Sequence, residues 1–121
     1  MQPDKAVAGL LWDIVAFARE TVDFVRDVGF DEYLEDRKLM LAVERQIELI
    51  GEASRRLPAG FKSEHPEVPW SAMVGQRNVL AHDYGEINSA DVWNVATFKL
   101  PELISALEPL LPPIDEWKES L

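Results

Sequence analysis

Apolar residues recur every three or four positions along most of the chain, and this spacing predicts amphipathic helices. The first stripe predicts a long helix over residues 4–28, with Asp4 as its N-cap and Gly29 as its stop. A short turn at residues 32–34, capped by Asp31, is predicted to follow. The stripe of the first helix comprises Val7, Leu10, Leu11, Ile14, Phe17, Ala18, Thr21, Val22, Val25 and Val28.

A second stripe predicts another long helix, which packs nearly antiparallel to the first and ends at Pro58. Residues 58–69 are predicted to form a connector with one helical turn at 61–64. A third helix is predicted from residue 69 to residue 81 or 82, because proline suits the first position of a helix. The stripe of the second helix comprises Leu39, Met40, Val43, Ile47, Ile50, Ala53 and Leu57.

The last stripe predicts a helix that is capped by Asn88 or Ser89 and broken or kinked by Pro101. No alternating strand pattern and no internal repeat occurs in the sequence. The predicted fold class is therefore an all-α, up-and-down bundle of four to five helices. It forms one domain over residues 1–121, with a tail at 112–121 that is either frayed or docked.

Composition and charge narrow the function classes. The chain has 121 residues, a net charge of −10 and no cysteine, which excludes disulfides, thiolate catalysis and Cys-based zinc sites. Apolar runs stay below the roughly 20 residues of a membrane span, and the N-terminus lacks the order of a secretion signal. We expect a cytoplasmic protein that does not contact membranes.

The charge is unevenly distributed along the chain. Residues 37–77 have a net charge of +2, whereas residues 1–36 and 78–121 each have −6. An anionic ligand should therefore meet the middle of the chain.

The most specific chemical signal is the stretch at residues 77–84, which brings together Arg77, Asn78, His82 and Tyr84. Histidine suits proton transfer near neutral pH, and the planar fork of arginine suits two phosphate oxygens at once. Cleavage of RNA without a metal needs a base, an acid and such a cation, and Asn78 could orient a phosphate or a water. The residue types therefore fit phosphodiester chemistry.

A structural interpretation of the same residues stays open. On an ideal helix Arg77 and His82 lie about 140° apart, so one copy does not focus both on one atom. Local unwinding would bring them together, and so would a symmetric dimer in which Arg77 of one copy faces His82 of the other. A histidine in the last turn of a helix also stabilises the helix dipole, and Tyr84 can be a half-buried aromatic.

The stretch resembles the signature of the HEPN superfamily, and about residues 5–110 resemble its HepT-like branch. Two departures are a glutamine at position 76, where the branch often has methionine, and a short loop at residues 84–86. The resemblance also rests on flanking segments, namely Asp36-Arg37, residues 42–53, residues 65–70, residues 75–78 and residues 91–93.

The resemblance implies a homodimer with both motifs at its interface, acting as a metal-independent endoribonuclease toxin that needs no cofactor. Arg77 and His82 would be the catalytic pair, with Asn78 as the supporting polar residue. The implied partner is a minimal nucleotidyltransferase antitoxin (MntA) that transfers AMP from ATP to Tyr84. That modification would block RNA through bulk and negative charge.

Several alternatives remain at this point. Three cations on the second helix are candidate RNA contacts or, with equal weight, part of a solvated face: Arg37, Lys38 and Arg45. Glutamates at every fourth position form an acidic face of that helix: Glu44, Glu48 and Glu52. This face lies near the cleft or dimer interface, or it is a solvated face that pairs with neighbouring arginines. The chain could instead be a non-catalytic nucleotide- or substrate-binding subunit of a nucleotidyltransferase complex, which the acidic charge favours slightly, or a bundle whose motif serves only dimer packing.

Overall fold

The computed structural model describes residues 5–70 and 88–113, and every regular element in these two ranges is helical. The all-α class predicted from the sequence is therefore confirmed. The helices are α1 (Lys5–Val25), α2 (Phe30–Glu35), α3 (Arg37–Arg56), α4 (Ala59–Glu64), α5 (Ser89–Asn94) and α6 (Leu100–Leu107). A π-turn (Val95–Lys99) joins α5 to α6, and a 3-10 turn (Glu108–Leu110) follows α6.

Helix α1 is the centre of the bundle, because it packs against both α3 and α6. Gln46 of α3 donates a hydrogen bond to the Glu20 carboxylate of α1 at 2.9 Å. Helices α1 and α6 run in opposite directions, since Trp12 bonds the Pro112 carbonyl at 3.2 Å while Arg19, further along α1, pairs with the earlier Glu108 at 3.4 Å. The fully buried side chains of this core include Leu11, Ile14 and Val15 of α1, Val43, Ile47 and Ile50 of α3, and Leu100 and Leu107 of α6.

The first helix ends earlier than its apolar stripe predicted. It stops at Val25 rather than at residue 28, because Asp27 adopts a left-handed backbone with a φ of 60° that a helix cannot continue through. The Arg26 and Val28 amides then donate to carbonyls only three residues back, which closes a tight turn. The prediction that Gly29 stops this helix was wrong. The predicted cap, Asp4, lies outside the described residues.

The cap of α2 also differs from the prediction, and the structure adds a cap for α3. Gly29 is the N-cap of α2, and Asp31 lies inside the first turn of α2 instead of capping it. Asp36 caps α3, because its Oδ1 accepts the Leu39 amide hydrogen at 3.0 Å. The predicted helical turn at residues 61–64 is part of α4, which begins two residues earlier.

The last helical run continues through Pro101, so the predicted break does not occur, and a π-helical turn comes just before the proline. The Leu100 amide donates to the Val95 carbonyl five residues back. A proline lacks the amide hydrogen of a regular helix, and Pro101 stands in the first turn of α6, directly after these π-helical residues. The predicted cap is confirmed, because the Asn88 Oδ1 accepts the Asp91 amide hydrogen at 3.1 Å.

Candidate functional site

The predicted catalytic residues lie in a stretch between the two described parts of the chain. Arg77, Asn78, His82 and Tyr84 all lie within residues 71–87, outside the described residues, as does the predicted third helix beyond Trp70. Their assigned roles therefore stay predictions. The structure describes the chain on both sides of this stretch, up to Trp70 and again from Asn88. The contacts of these two flanking segments show how each end of the stretch is attached to the bundle.

The end before the motif is held by an aromatic cluster. The His65 ring packs on the Phe61 ring with centroids 4.8 Å apart, and the Trp70 ring meets Phe61 edge-on at 6.1 Å. The Trp70 Nε1–H donates to the His65 carbonyl at 2.9 Å. The Glu67 carboxylate lies 3.1 Å from the His65 Nδ1. A hydrogen bond from its own backbone amide, and then the one to His65, lower the pKa of the Glu67 carboxyl.

The end after the motif is held by a helix cap. Asn88 begins α5 with its side-chain oxygen on the Asp91 amide. One turn later Val92 is fully buried in the core. A side-chain cap of this type contributes about 1 kcal/mol to helix stability. The chain that follows the predicted catalytic stretch is therefore anchored to the bundle at the start of α5.

The predicted RNA-contacting cations lie at the start and middle of α3. Lys38 and Arg45 are seven residues apart, so they share one face of the helix about 10 Å apart along its axis. Arg45 pairs with Glu48 at 3.1 Å while its side chain stays 60% exposed. Arg37 lies on the neighbouring stripe with Glu44; burial raises the pKa of the Glu44 carboxyl, and the charge of Arg37 opposes that rise. Lys38 is exposed and has no ion pair within the described ranges.

The acidic face of α3 is partly neutralised by its arginines. Glu48 pairs with Arg45, which supports the interpretation of a solvated, paired face. Further along the helix, an open pocket of about 240 Å³ is lined, within the described part of the chain, by Glu52, Arg55 and Arg56. One carboxylate and two guanidinium groups line this pocket, so the C-terminal end of α3 has a local excess of positive charge.

Tyr33 is a buried titratable group that no pattern in the sequence singles out. Its side chain is fully buried, its ring lies 5.0 Å from the Trp93 ring, and its hydroxyl has no hydrogen-bond partner among the described residues. Burial, and then the nearby charge of Glu44, raise the pKa of Tyr33 to about 12. Burial also raises the pKa of Glu44, and Arg37 acts against that rise. Only the packing of α2, α3 and α5 brings these groups together.

Two further properties follow from the described ranges. Within them no group of three or more His, Asp or Glu side chains could hold a metal ion. None of the helices described is both long enough and apolar enough to cross a membrane.

Comparison with known proteins identifies the class. Residues 14–110 match the family described as "Ribonuclease HepT-like". The chain is 38% identical over 118 residues to "Putative RNase MJ0127" of Methanocaldococcus jannaschii, covering 98% of both chains. It is 36% identical over 100 residues to "Probable ribonuclease HepT" of Thermococcus cleftensis, covering 83% of this chain and 91% of the relative. No solved structure matches the chain significantly.

The helical bundle and these matches define a small all-α protein of the ribonuclease class. The chain belongs to the HepT-like ribonuclease family, because the family match covers most of its length. The enzyme class predicted from the sequence is thereby confirmed, and so is the family resemblance.

Replacing Tyr33 by phenylalanine should leave the protein as stable or more stable at neutral pH, because the lost hydroxyl is buried with no hydrogen-bond partner in the part of the chain that the structure describes. In the native chain, the unfolded state ionises Tyr33 near pH 10 and the folded state near 12. The stability that the neutral phenol contributes is therefore complete below pH 10 and is lost as the pH rises through 12. Urea unfolding at stepped alkaline pH should show a smaller loss in Tyr33→Phe. An equal alkaline loss in both proteins would contradict the assignment.

Proposed function

We propose that this protein is a metal-independent endoribonuclease that acts as the toxin of a toxin–antitoxin pair. The observation that carries the proposal is the family match over residues 14–110, a range that contains the complete Arg77–His82–Tyr84 spacing. The relatives that are named as ribonucleases support the same activity. The substrate would be RNA, and the protein would act in the cytoplasm, where cellular RNA is translated.

The chemistry that these residues would perform follows from the substrate. RNA supplies its own nucleophile, the 2′-hydroxyl, which attacks the adjacent phosphorus to form a 2′,3′-cyclic phosphate, while the 5′-oxygen of the next nucleotide leaves and takes up a proton. His82 would move the proton, since an imidazole titrates near neutral pH. Arg77 would bind two phosphate oxygens and stabilise the charge that develops on them, and Asn78 would orient the phosphate. None of these steps requires a cofactor.

A homodimer would complete the site. Arg77 and His82 are separated by about 140° around an ideal helix, so two copies related by a twofold axis offer a direct way to bring one of each to the same phosphate. The two cations that share a face of α3, Lys38 and Arg45, would guide the RNA backbone toward that phosphate. Arg37, which lies on the neighbouring stripe near Glu44, would add a third cation to this guidance.

The partner would be an MntA-like minimal nucleotidyltransferase that neutralises the toxin. Transfer of AMP from ATP to the Tyr84 hydroxyl forms a phosphodiester on the phenol and releases pyrophosphate. The added nucleotide would bring bulk and negative charge next to Arg77, and both would exclude RNA.

The nuclease proposal predicts cleavage of single-stranded RNA by the purified protein in the presence of EDTA. His82→Ala and Arg77→Lys should each reduce the cleavage rate by about a hundredfold or more, since they remove the proton-transfer group and the bidentate cation. The measurement is the initial rate of cleavage of a fluorescently labelled RNA.

A matched control for the arginine substitution is Arg26→Lys. Arg26 is exposed at the end of α1 and pairs with Asp23, so this variant should keep wild-type activity. Equal cleavage by His82→Ala and the wild type would contradict the proposed catalytic role. A wild-type chain that binds nucleotide and never cleaves RNA would favour the binding-subunit function instead.

The regulation proposal predicts a mass gain of one AMP group when the chain is co-expressed with an MntA-like transferase. Tyr84→Phe should abolish the gain, and Tyr33→Phe should retain it. The chain has only two tyrosines, and Tyr33 is fully buried and thus inaccessible to a transferase. Intact-mass spectrometry measures both variants. A mass gain that persists in Tyr84→Phe would contradict the assigned site.

A further inference from the structure

The segment from Phe61 to Trp70 closes on itself through three rings, which we name the aromatic clasp: Phe61, His65 and Trp70. Phe61 is the centre of the clasp, because it contacts both other rings. Phe61 and Trp70 also pack against the hydrophobic core, so the clasp is attached to the bundle and not only to itself.

The backbone inside the clasp is fixed by hydrogen bonds. The His65 carbonyl accepts two of them, from the Val68 amide at 3.2 Å and from the Trp70 indole at 2.9 Å. A carbonyl oxygen has two lone pairs, so this acceptor is fully used. The Trp70 amide in turn donates to the Val68 carbonyl at 2.9 Å, and Val68 is buried. The chain therefore has one defined path up to residue 70.

This defined path ends where the predicted catalytic stretch begins. Trp70 is the last described residue before residues 71–87, and Arg77 follows it by seven residues in the sequence. On the far side of the stretch, the Asn88 cap fixes the chain again. A displacement of about 1 Å at a catalytic group can cost a hundredfold in rate, even when the change that causes it lies far from the chemistry.

We propose that Trp70 is a positioning residue of the ribonuclease reaction, which it serves by fixing the start of the stretch that carries Arg77. The proposal rests on the proposed function of Arg77 and His82. Trp70 acts through its indole hydrogen bond to the His65 carbonyl and its ring contact with Phe61. It neither donates a proton to RNA nor binds the phosphate.

The chain contains a matched control for this role. Trp12 is also half-buried, and its indole also donates to a backbone carbonyl, that of Pro112, at 3.2 Å. Trp12→Phe and Trp70→Phe therefore remove the same kind of hydrogen bond and both keep an aromatic ring. They differ in location, because the Trp12 bond joins α1 to the chain that follows α6, outside the connection that leads into the motif.

The test compares kcat and KM for a labelled RNA at a temperature at which circular dichroism shows all proteins folded. Trp70→Phe should lower kcat by about tenfold through misplacement of Arg77, with KM changed by less than about twofold because the binding surface is kept. Trp12→Phe should keep wild-type kcat and KM. Equal kcat values in the two variants, or a change in KM alone, would overturn the positioning role.

A second variant protects the test against simple loss of folding. Phe61→Leu keeps an apolar side chain but removes the ring that both His65 and Trp70 contact, and it should lower kcat in the same direction. If Trp70→Phe does not fold, a folded Phe61→Leu with wild-type kcat overturns the proposal. A wild-type protein without ribonuclease activity would instead refute the proposed function, so the two failures are distinguishable.

Discussion

The two-sided burial of α1 is the constraint on which the rest of this structure depends. One face of α1 packs on α3 and another on α6, and its core side chains Leu11, Ile14 and Val15 are fully excluded from solvent. Burial of a side chain of this size contributes about 1.5–3 kcal/mol. Because α3 and α6 meet the same helix, the elements that flank the predicted catalytic stretch, α4 on one side and α5 on the other, are attached to one common core.

The long helices were predictable from the sequence because they have strong apolar stripes, whereas several of the helix ends were not. Val28 continues the stripe of α1 by spacing alone, yet the left-handed backbone at Asp27 ends the helix first. A pattern of side chains does not report the backbone conformation of a single turn residue. Pro101 likewise predicted a break, but the π-turn before it keeps Val95 and Leu100 buried together. That outcome depends on packing against α1, which is a long-range contact.

The chemistry of the site was predictable only as residue types and spacing. An arginine, a histidine and a tyrosine within eight residues indicate phosphoryl chemistry, and the family match agrees with that class. The clasp and the proximity of the buried Tyr33 to the half-buried Glu44 were not predictable. His65 and Trp70 belong to a segment that carries the family resemblance, but a bond to a backbone carbonyl leaves no compositional trace. Tyr33 and Glu44 come close only after α2 has packed on α3.

An acidic protein that acts on RNA needs its cations in one place, and α3 with the following segment provides them. The net charge of −10 is carried by the two ends of the chain, whereas residues 37–77 are net positive. Phosphate contacts depend on local cations more than on the total charge. The acidic ends would repel RNA from the remaining surface, which would direct it toward the middle of the chain.

In the proposed homodimer, Arg77 of one subunit and His82 of the other act on the same phosphate. The most direct measurement is the RNA cleavage rate of a purified mixed dimer, isolated with two tags, of one Arg77→Ala subunit and one His82→Ala subunit. Each variant alone should be inactive, whereas the mixed dimer retains one intact composite site and should recover about half of the wild-type rate. An inactive mixed dimer, beside an active wild type, would contradict a site shared between subunits.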